Sequence, residues 1–517
     1  MGRFLDTMEE KLRTGCKKVD TALLAAVSLA ALLSMVVAHG FAFANLFPNH
    51  DSTVLVFDAQ WTMYVLGRWA QNLYFPLIRG KVAAPWLIGG FSIVYTALAG
   101  YCIARLLQLR RGAAALLTAL LGCCASVTAL LATYTYETDA YLLAMLLACA
   151  GVFCLEKARP VPGFAAAAVL FCGCLALYQS YIQFALGLFL LILLREALQG
   201  TSWRAWLLHG VRAVASVATG GILYLVTVKI SLALTGYQLA DTGNGLAQLT
   251  RLGPAAILAG IPAVYKNFLE TLLGYSGWND RGMRAATALL LVLSVLGLVL
   301  RLRGQNRRTV VQALLAVALL PLGLNVIYLL ASGNVYILMQ HALFLVYAVP
   351  LLLFSGLELP KPPRALWGWC TAALCAFLLV RMAICSNGAY VYTKLVYDQS
   401  ARQMTTIMAE VQQLPGYEEG VTPVAFVGEF TDSAFAYHDP AFSRYEEGDL
   451  HQVNSAITYD GTIKWWFQHV MGSSANVVVA QAELDAWAED PRVEAMDSYP
   501  SGEYCAMLDG TAVVKIS

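Results

Sequence analysis

Long apolar runs separated by short polar joints dominate the chain up to about residue 386. A transmembrane helix needs about 20 consecutive apolar residues, and this pattern predicts eleven such helices. The predicted spans are residues 21–45, 83–107, 113–133, 138–155, 161–177, 179–194, 211–235, 285–301, 309–331, 335–356 and 366–386. The pattern therefore predicts a polytopic α-helical membrane protein.

The pattern changes after residue 386, where shorter elements follow one another. Residues 389–414 have a helical pattern, and residues 422–428 and 475–481 are short apolar runs typical of buried strands. Near the C-terminus, Asp509-Gly510 separates two strand-like runs and is a strong signal for a two-residue β-hairpin turn. We therefore expect a small α/β domain after the membrane helices.

Composition supports a division into a membrane body, residues 1–386, and an α/β domain, residues 387–517. Of the 517 residues, 59% are hydrophobic and 13% are charged, about half the charged fraction of a typical soluble protein. The body holds 28 Lys and Arg against 14 Asp and Glu, whereas the domain holds 6 against 19. The basic residues lie in short clusters between apolar runs, which is typical of membrane orientation signals and excludes a nucleic-acid-binding surface.

These basic clusters alternate along the chain. Lys and Arg flank every second joint, with the densest cluster at 301–308, whereas the joints at 134–139, 178–180 and 332–334 carry none. Positive charge is retained on the cytoplasmic side of a membrane. The alternation therefore predicts a cytoplasmic N-terminus and, for an odd number of spans, an extracytoplasmic C-terminal domain.

The first long outer segment, residues 46–82, combines acids, cations and aromatic residues, and we call it the first loop. Charged side chains near a membrane boundary are costly and often functional. Asp51 or Asp58 could deprotonate an acceptor hydroxyl or hold a cation, and the planar fork of Arg68 matches phosphate oxygens. The alternative is a solvated loop with an interfacial helix, in which Trp69 belongs to an aromatic belt.

Other outer positions offer further candidate chemistry. Asp139 begins a predicted span and is either an acid of the site or the N-cap of its helix. Tyr178 and Gln179 suit a sugar, which presents hydroxyls and an apolar ring face, but a tyrosine here also suits interfacial anchoring. Lys266, in the second long outer segment at 236–283, is a candidate substrate contact.

Two further polar residues are weaker candidates. Glu137 is a weaker candidate than Asp139, and His341 is interpreted as a buried, hydrogen-bonded histidine.

Motifs that are missing from the sequence narrow the possible classes of function. No phosphate-binding glycine loop, zinc-ligand spacing or nucleophile elbow occurs, which argues against ATP-driven transport by this chain alone. No cofactor is indicated, and a divalent metal is compatible with the outer acids although no ligand spacing points to one.

Several ordered motifs resemble one family. An outer acid follows the first span and is followed by GRW at 67–69, an aromatic hairpin lies at 133–141, LYQSYI at 177–182 opens a later span, and LPGY leads to TPVAFVG. This order resembles the serotype-converting glucosyltransferases, the Gtr type II group, which are multispanning enzymes of the GT-C class. The resemblance covers most of the chain and is weakest between residues 200 and 380.

The resemblance implies transfer of glucose, or a similar hexose, from a polyprenyl-phosphate carrier to a cell-surface polysaccharide such as O-antigen, outside the bacterial cytoplasmic membrane. It implies that Asp51 activates the acceptor, that Arg68 holds the carrier phosphate and that Asp139 is a second acid. The chain has His50 beside Asp51 where many relatives have two adjacent acids, which weakens the case for a paired-carboxylate metal site.

Two other classes of function are weighed against this one. A glycolipid transporter or flippase should place polar residues near the middle of its spans, whereas Lys229 and Arg381 lie near the outer ends of theirs. A polysaccharide polymerase or ligase is compatible with the long outer segment. A site at one face of the membrane favours the transferase.

Overall fold

Apolar helices form most of the fold. The computed structural model describes residues 19–48, 52, 60–240, 253–355, 361–431, 433–446, 454–458 and 460–517. Before the C-terminal unit its α-helices are α1 (Thr21–Ala44), α2 (Gln60–Val65), α3 (Gln71–Tyr74), α4 (Pro85–Leu107), α5 (Arg111–Cys123), α6 (Ala125–Thr133), α7 (Thr138–Lys157), α8 (Pro160–Leu177), α9 (Ile182–Leu198), α10 (Trp203–Thr235), α11 (Pro254–Leu273), α12 (Arg281–Leu302), α13 (Arg307–Leu324), α14 (Val326–Leu330), α15 (Ala348–Ser355) and α16 (Lys361–Val411). A 3-10 helix, Ile337–Tyr347, leads directly into α15.

Twelve helical stretches in the described ranges are long and apolar enough to cross a membrane. Eleven of them overlap the predicted spans, so the chain is a multi-pass membrane protein. The twelfth is α11, which lies inside the stretch 236–283 that was predicted to be an outer segment without a span. The sequence interpretation missed this helix because Lys266, Asn267 and Glu270 interrupt its apolar residues.

One helix, α16, replaces the predicted span at 366–386 and the separate helix predicted at 389–414. It runs without a break from Lys361 to Val411, and the predicted domain boundary lies inside it. Gly388 lies inside this helix and allows the close approach of Tyr445, because an added Cβ would lie 2.0 Å from the Tyr445 hydroxyl. The membrane body is therefore joined to the C-terminal unit by a continuous helix.

Within the third predicted span the helix is interrupted. The helix α5 ends at Cys123 and α6 begins at Ala125, with an extended backbone at Cys124 (φ −66°, ψ 161°). His341 Nε2 lies 2.9 Å from the carbonyl of Leu121, and His39 Nε2 lies 2.8 Å from the carbonyl of Gly122. Because a carbonyl can only accept, each Nε2 donates, and the two histidines satisfy carbonyls that the break releases.

Each histidine is also held at its other nitrogen. Nδ1 of His341 lies 3.1 Å from the Tyr181 hydroxyl, and Nδ1 of His39 lies 2.7 Å from the Tyr390 hydroxyl. Both rings are fully buried. This confirms the interpretation of His341 as a buried, hydrogen-bonded histidine.

Replacing His341 by leucine is expected to destabilise the fold by about 1–3 kcal/mol, because the buried carbonyl of Leu121 would keep only the weak thiol donor of Cys124 at 3.4 Å. Thermal unfolding in detergent should show a lower midpoint for His341→Leu than for the native chain. His341→Gln keeps an N–H donor and should lose less. An unchanged midpoint for His341→Leu would show that the break does not need this histidine.

The C-terminal unit follows α16 and contains a four-stranded sheet with the order β2-β1-β4-β3. Its elements are β1 (Pro423–Val427), α17 (Ser443–Glu446), α18 (Asp460–Trp465), β2 (Asn476–Val477), α19 (Gln481–Ala488), α20 (Pro491–Glu494), β3 (Cys505–Leu508) and β4 (Thr511–Lys515). Strand β1 is parallel to β2 and β4, and β3 pairs antiparallel with β4. The predicted hairpin is confirmed, because Asp509 (φ 48°) and Gly510 (φ 80°) both adopt the left-handed conformation that such a turn requires.

Several joints of the body lie on the same side as the C-terminal unit. Phe47, just after α1, packs against Tyr390 of α16 with ring centroids 6.4 Å apart. Arg444 of α17 donates to the carbonyl of Gly277 at 2.9 Å, and Asp280 before α12 pairs with Arg381 of α16. We call this side of the membrane body the site face.

Candidate functional site

The described part of the first loop is fixed to the joint between α8 and α9. Gln71 Nε2 donates to the carbonyl of Leu177 at 2.8 Å, and Gln179 Nε2 donates to the carbonyl of Leu66 at 2.8 Å. The two bonds run in opposite directions between the loop and the joint. They hold the loop firmly enough to give its arginines defined positions.

The first of these arginines, Arg68, lies on a pair of tyrosine rings. Tyr141 and Tyr178 are stacked with their centroids 4.0 Å apart, and the Arg68 guanidinium lies 4.7 Å from the centroid of Tyr178. Arg68 Nη1 donates to the Tyr141 hydroxyl at 2.9 Å and lies 3.6 Å from Glu137 Oε2. The Tyr141 hydroxyl in turn donates to Glu137. These four residues, which we call the Arg68 cluster, combine a cation, an acid and an aromatic platform.

The electrostatics of the Arg68 cluster keep its guanidinium charged. Burial disfavours the charged form of Arg68. The electrostatic interactions with Tyr141, Tyr178 and Glu137 favour the charged form more strongly, so the pKa of Arg68 is raised. The side chains of Arg68 and Glu137 are still 19% and 15% exposed. Arg68 Nε itself is buried and has no hydrogen-bond partner within the described ranges. The cluster therefore offers a fixed cation whose side chain is partly accessible.

A second arginine of the first loop pairs with Asp139. Asp139 Oδ2 lies 3.4 Å from Arg79 Nε and accepts from the Tyr74 hydroxyl at 2.8 Å. Arg79 Nη2 donates to the carbonyl of Tyr136 at 2.9 Å, and its guanidinium lies 4.2 Å from the ring centroid of Phe75. Both charged side chains are completely buried. We call these residues the Asp139 cluster.

The Asp139 cluster contains a chain of hydroxyl groups. The Tyr74 hydroxyl lies 3.2 Å from that of Tyr95, a half-buried residue of α4. Burial and the nearby charge of Asp139 raise the pKa of Tyr74, so its hydroxyl stays protonated and donates to the carboxylate. Among the residues that the structure describes, Asp139 Oδ1 has no hydrogen-bond partner. Arg79 and Tyr74 both contact the carboxylate at Oδ2.

The structure rules out one of the two interpretations of Asp139 at the start of α7, that of a helix N-cap. Glu137 occupies the N-cap position and Asp139 lies in the first turn, so Asp139 is not the N-cap. An acid in the first turn is still favoured by the helix dipole. Its main contacts, however, are with Arg79 and Tyr74 of the first loop, and these contacts fix the joint between α6 and α7.

The two clusters are built from the same two segments of the chain, which the sequence alone did not reveal. Both arginines come from the first loop and both acids from the joint at 134–139, but one pair is partly exposed and the other is buried. Glu137, ranked below Asp139 from the sequence, is the partly exposed acid of the two, with 15% of its side chain exposed. Arg79 was missed, although an arginine between the apolar Ile78 and Gly80 at the end of the loop was a usable signal.

The other sequence candidates are placed as follows. Trp69 is half-buried and packs against the buried cluster of Ala176, Tyr224 and Val228. Tyr178 belongs to the cluster, and Gln179 binds the loop backbone and also donates to the Tyr224 hydroxyl at 2.8 Å. The side chain of Lys266 is 77% exposed on α11 and pairs with Glu270 at 3.5 Å.

Two sequence candidates cannot be placed. Asp51 and Asp58, with His50, lie outside the described residues, and their roles stay predictions. Within the ranges that are described, no three His, Cys, Asp or Glu side chains come together as a metal site requires. The described part of the site therefore consists of arginines, acids and tyrosines.

Comparison with known proteins gives one match. The model of the family described as glucosyl transferase GtrII matches residues 40–355, which include the first loop and both clusters. No curated protein and no solved structure matches the chain.

Proposed function

Because the chain belongs to the GtrII glucosyl transferase family, we propose that it transfers glucose, or a similar hexose, from a polyprenyl-phosphate-sugar donor to a cell-surface polysaccharide. We place this reaction at the outer face of the bacterial inner membrane and take the site face as the outer face. The alternation of basic joints supports that orientation. The family itself supports the coarser function, a glucosyltransferase.

The observation that carries the proposal is the position of Arg68. A lipid-linked donor brings its phosphate to the boundary of the bilayer, and Arg68 lies at the ends of membrane helices with a side chain that is 19% exposed. An arginine fork binds phosphate through paired, charge-assisted hydrogen bonds. The stacked tyrosines beneath the guanidinium limit its movement, so little orientational freedom is lost when a phosphate binds.

The reaction needs a base for the acceptor and a cation for the leaving group. A carboxylate takes the proton of an acceptor hydroxyl, the acceptor oxygen bonds to the anomeric carbon, and the bond from that carbon to the phosphate oxygen breaks. Arg68 would stabilise the charge that develops on the polyprenyl phosphate. Asp51 is the proposed base, and Glu137 balances the charge of Arg68 until a donor phosphate arrives.

Asp139 fits a positioning role better than a direct contact with the substrate. Its carboxylate is fully buried and paired with Arg79, and it lies two residues from Glu137 on the same joint. The buried pair would therefore set the position of the accessible acid. Tyr178 forms part of the platform under Arg68, and Trp69 lines the side of the site next to α10.

Incubation of the purified protein in nanodiscs with polyprenyl-phosphate-glucose and an acceptor polysaccharide tests the proposal. Release of polyprenyl phosphate together with glucosylated polysaccharide is the expected result. Growth of the polysaccharide chain without added glucose branches would instead support a polymerase. Movement of the donor across the membrane without release of polyprenyl phosphate would support a flippase.

Asp51→Asn is expected to lower the rate of transfer by about 10²–10⁴-fold, because the amide cannot accept the proton of the acceptor hydroxyl. The same release assay measures the effect. Glu270→Gln is a suitable control, since Glu270 is an exposed acid on α11 whose partner is Lys266. Transfer by a folded Asp51→Asn variant at the native rate would rule out the catalytic role of Asp51.

A further inference from the structure

The helix α11 (Pro254–Leu273) has the length and composition of a membrane span. Its contacts, however, lie on one side of the membrane body. We propose that α11 does not cross the membrane but lies along its surface on the site face, with one apolar stripe inserted among the lipids of that leaflet. This inference concerns the placement of a helix and is independent of the transfer reaction.

The C-terminal end of α11 lies at the site face. The carbonyl of Leu273 accepts from Arg284 Nε, in the first turn of α12, at 2.7 Å. The short joint between the two helices includes Gly277, whose carbonyl accepts from Arg444 of the C-terminal unit. Leu273 is therefore close to the unit that defines the site face.

The earlier part of α11 lies at the same face. Gly260 precedes Leu273 by thirteen residues, which is about 20 Å along a helix. It packs so closely against Leu329 of α14 that an added Cβ would lie 2.5 Å from Leu329 Cδ1. If α11 crossed the bilayer, Gly260 would instead lie well towards the opposite end of α13.

The contacts of α14 show at which level of the membrane body Gly260 lies. Ile327 of α14 donates its backbone N–H to Gln183 Oε1 at 3.4 Å. Gln183 lies in the first turn of α9, next to the joint that carries Tyr178 and Gln179. The helix α14 is therefore at the level of the candidate site, and so is the residue of α11 that packs on it.

A cluster of three amide side chains, two of them buried and the third, Asn267, half-buried, holds the middle of α11 at the same level. Asn267 Oδ1 accepts from Asn325 Nδ2 at 2.9 Å and from Gln340 Nε2 at 2.7 Å. Asn325 follows the last residue of α13, and its Nδ2 also lies 3.3 Å from the carbonyl of Val264. These contacts fix the middle of α11 against the end of α13, and the Tyr265 hydroxyl of α11 also donates to the carbonyl of Ala318, six residues before that end, at 2.6 Å.

The faces of α11 suit a helix at a membrane surface. A buried stripe at intervals of four residues packs on the body and consists of Val264, Phe268 and Leu272. Beside it, Leu258 and Leu269 are 68% and 52% exposed. The next stripe carries the exposed pair Lys266 and Glu270. Protein-facing, apolar and charged stripes thus follow one another around the helix, which is the pattern of an interfacial helix.

The exposed leucines indicate lipid as the partner. They lie on one stripe, eleven residues apart, on a helix that is continuous with the membrane body and level with the ends of its spans. A surface at that level borders lipid wherever other protein does not cover it. Lys266 and Glu270, on the adjacent stripe, would then face water and the lipid headgroups.

Spin labels at Leu258→Cys and Leu269→Cys, each in a Cys370→Ser background in nanodiscs, test the proposal. Power saturation with oxygen and with a polar nickel complex measures the depth of each label. We expect both labels at nearly the same shallow depth, with contact to oxygen. A crossing helix would separate their depths by about 16 Å, and this result would overturn the proposal. Equal depths without contact to oxygen would also overturn it, because water or protein would then cover the stripe.

The helix α12 supplies a matched control. Leu289 and Leu300 are exposed, apolar and also eleven residues apart. Labels at Leu289→Cys and Leu300→Cys should differ in depth by about 16 Å if α12 crosses the bilayer. Labelled protein with only the remaining native cysteines gives the background signal.

A membrane-impermeant maleimide provides a second measurement. Ala256→Cys and Lys266→Cys, both at exposed positions of α11, should react from the same side of the membrane. Arg303→Cys, beyond the other end of α12, should react only from the opposite side. Reaction of Ala256→Cys from the side that labels Arg303→Cys would show that α11 crosses.

Discussion

Replacing Arg68 by alanine should reduce glucosyl transfer by about 10²-fold or more while the chain remains folded. The guanidinium is the fixed cation of the Arg68 cluster, and loss of one group that stabilises transition-state charge typically costs a factor of this size. Release of polyprenyl phosphate from polyprenyl-phosphate-glucose measures the effect. Arg68→Lys should recover only part of the activity, because an ammonium lacks the fork that pairs with two phosphate oxygens.

The matched control for this variant is Arg105→Ala. Arg105 also lies over a tyrosine ring, 5.8 Å from the centroid of Tyr101, and donates to the hydroxyl of that tyrosine at 3.1 Å. It lies in the last turn of α4, at the opposite end of that helix from the first loop. Arg105→Ala should therefore leave transfer close to the native rate. Equal losses in the two variants would show that Arg68 acts through stability, contrary to the proposal.

Asp139→Leu should destabilise the protein by about 3–5 kcal/mol, because Arg79 would remain buried without its counter-charge. The double variant Arg79→Leu/Asp139→Leu removes both charges and should recover most of that loss, since an apolar pair of similar size often replaces a buried ion pair without cost. Denaturant or thermal unfolding of the purified variants in the same detergent measures the difference.

Transfer by the double variant then separates two roles for Asp139. We expect activity to return with stability, because a positioning residue is needed only to hold the joint that carries Glu137. A stable double variant with no activity would assign Asp139 to the chemistry instead. A double variant that is less stable than Asp139→Leu alone would contradict the pairing of these two side chains.

The membrane architecture could be predicted because the bilayer constrains it so strongly. A span must satisfy its own backbone and bury about 20 apolar residues, so the eleven predicted runs all coincide with helices. The hairpin at Asp509-Gly510 was predictable for a similarly local reason, since few residues adopt positive φ in succession. Such features depend on a few neighbouring residues.

The features that were missed depend on distant contacts. The polar side chain of Asn267 fits between α11 and the membrane body because Asn325 and Gln340, far along the chain, both donate to its Oδ1. The break between α5 and α6 is tolerated because His39 and His341 donate to the carbonyls that it releases. No local pattern contains this information.

The candidate site also combines features that neighbouring residues determine with features that depend on distant contacts. The sequence by itself determined that charged and aromatic residues gather in the first loop and in the joint at 134–139, because charge between apolar spans is costly unless it is used. Only the tertiary structure decided which arginine meets which acid, and that Glu137 stays accessible while Asp139 is buried. Pairing and burial depend on how helices far apart in sequence pack together, and packing is a property of the folded chain alone.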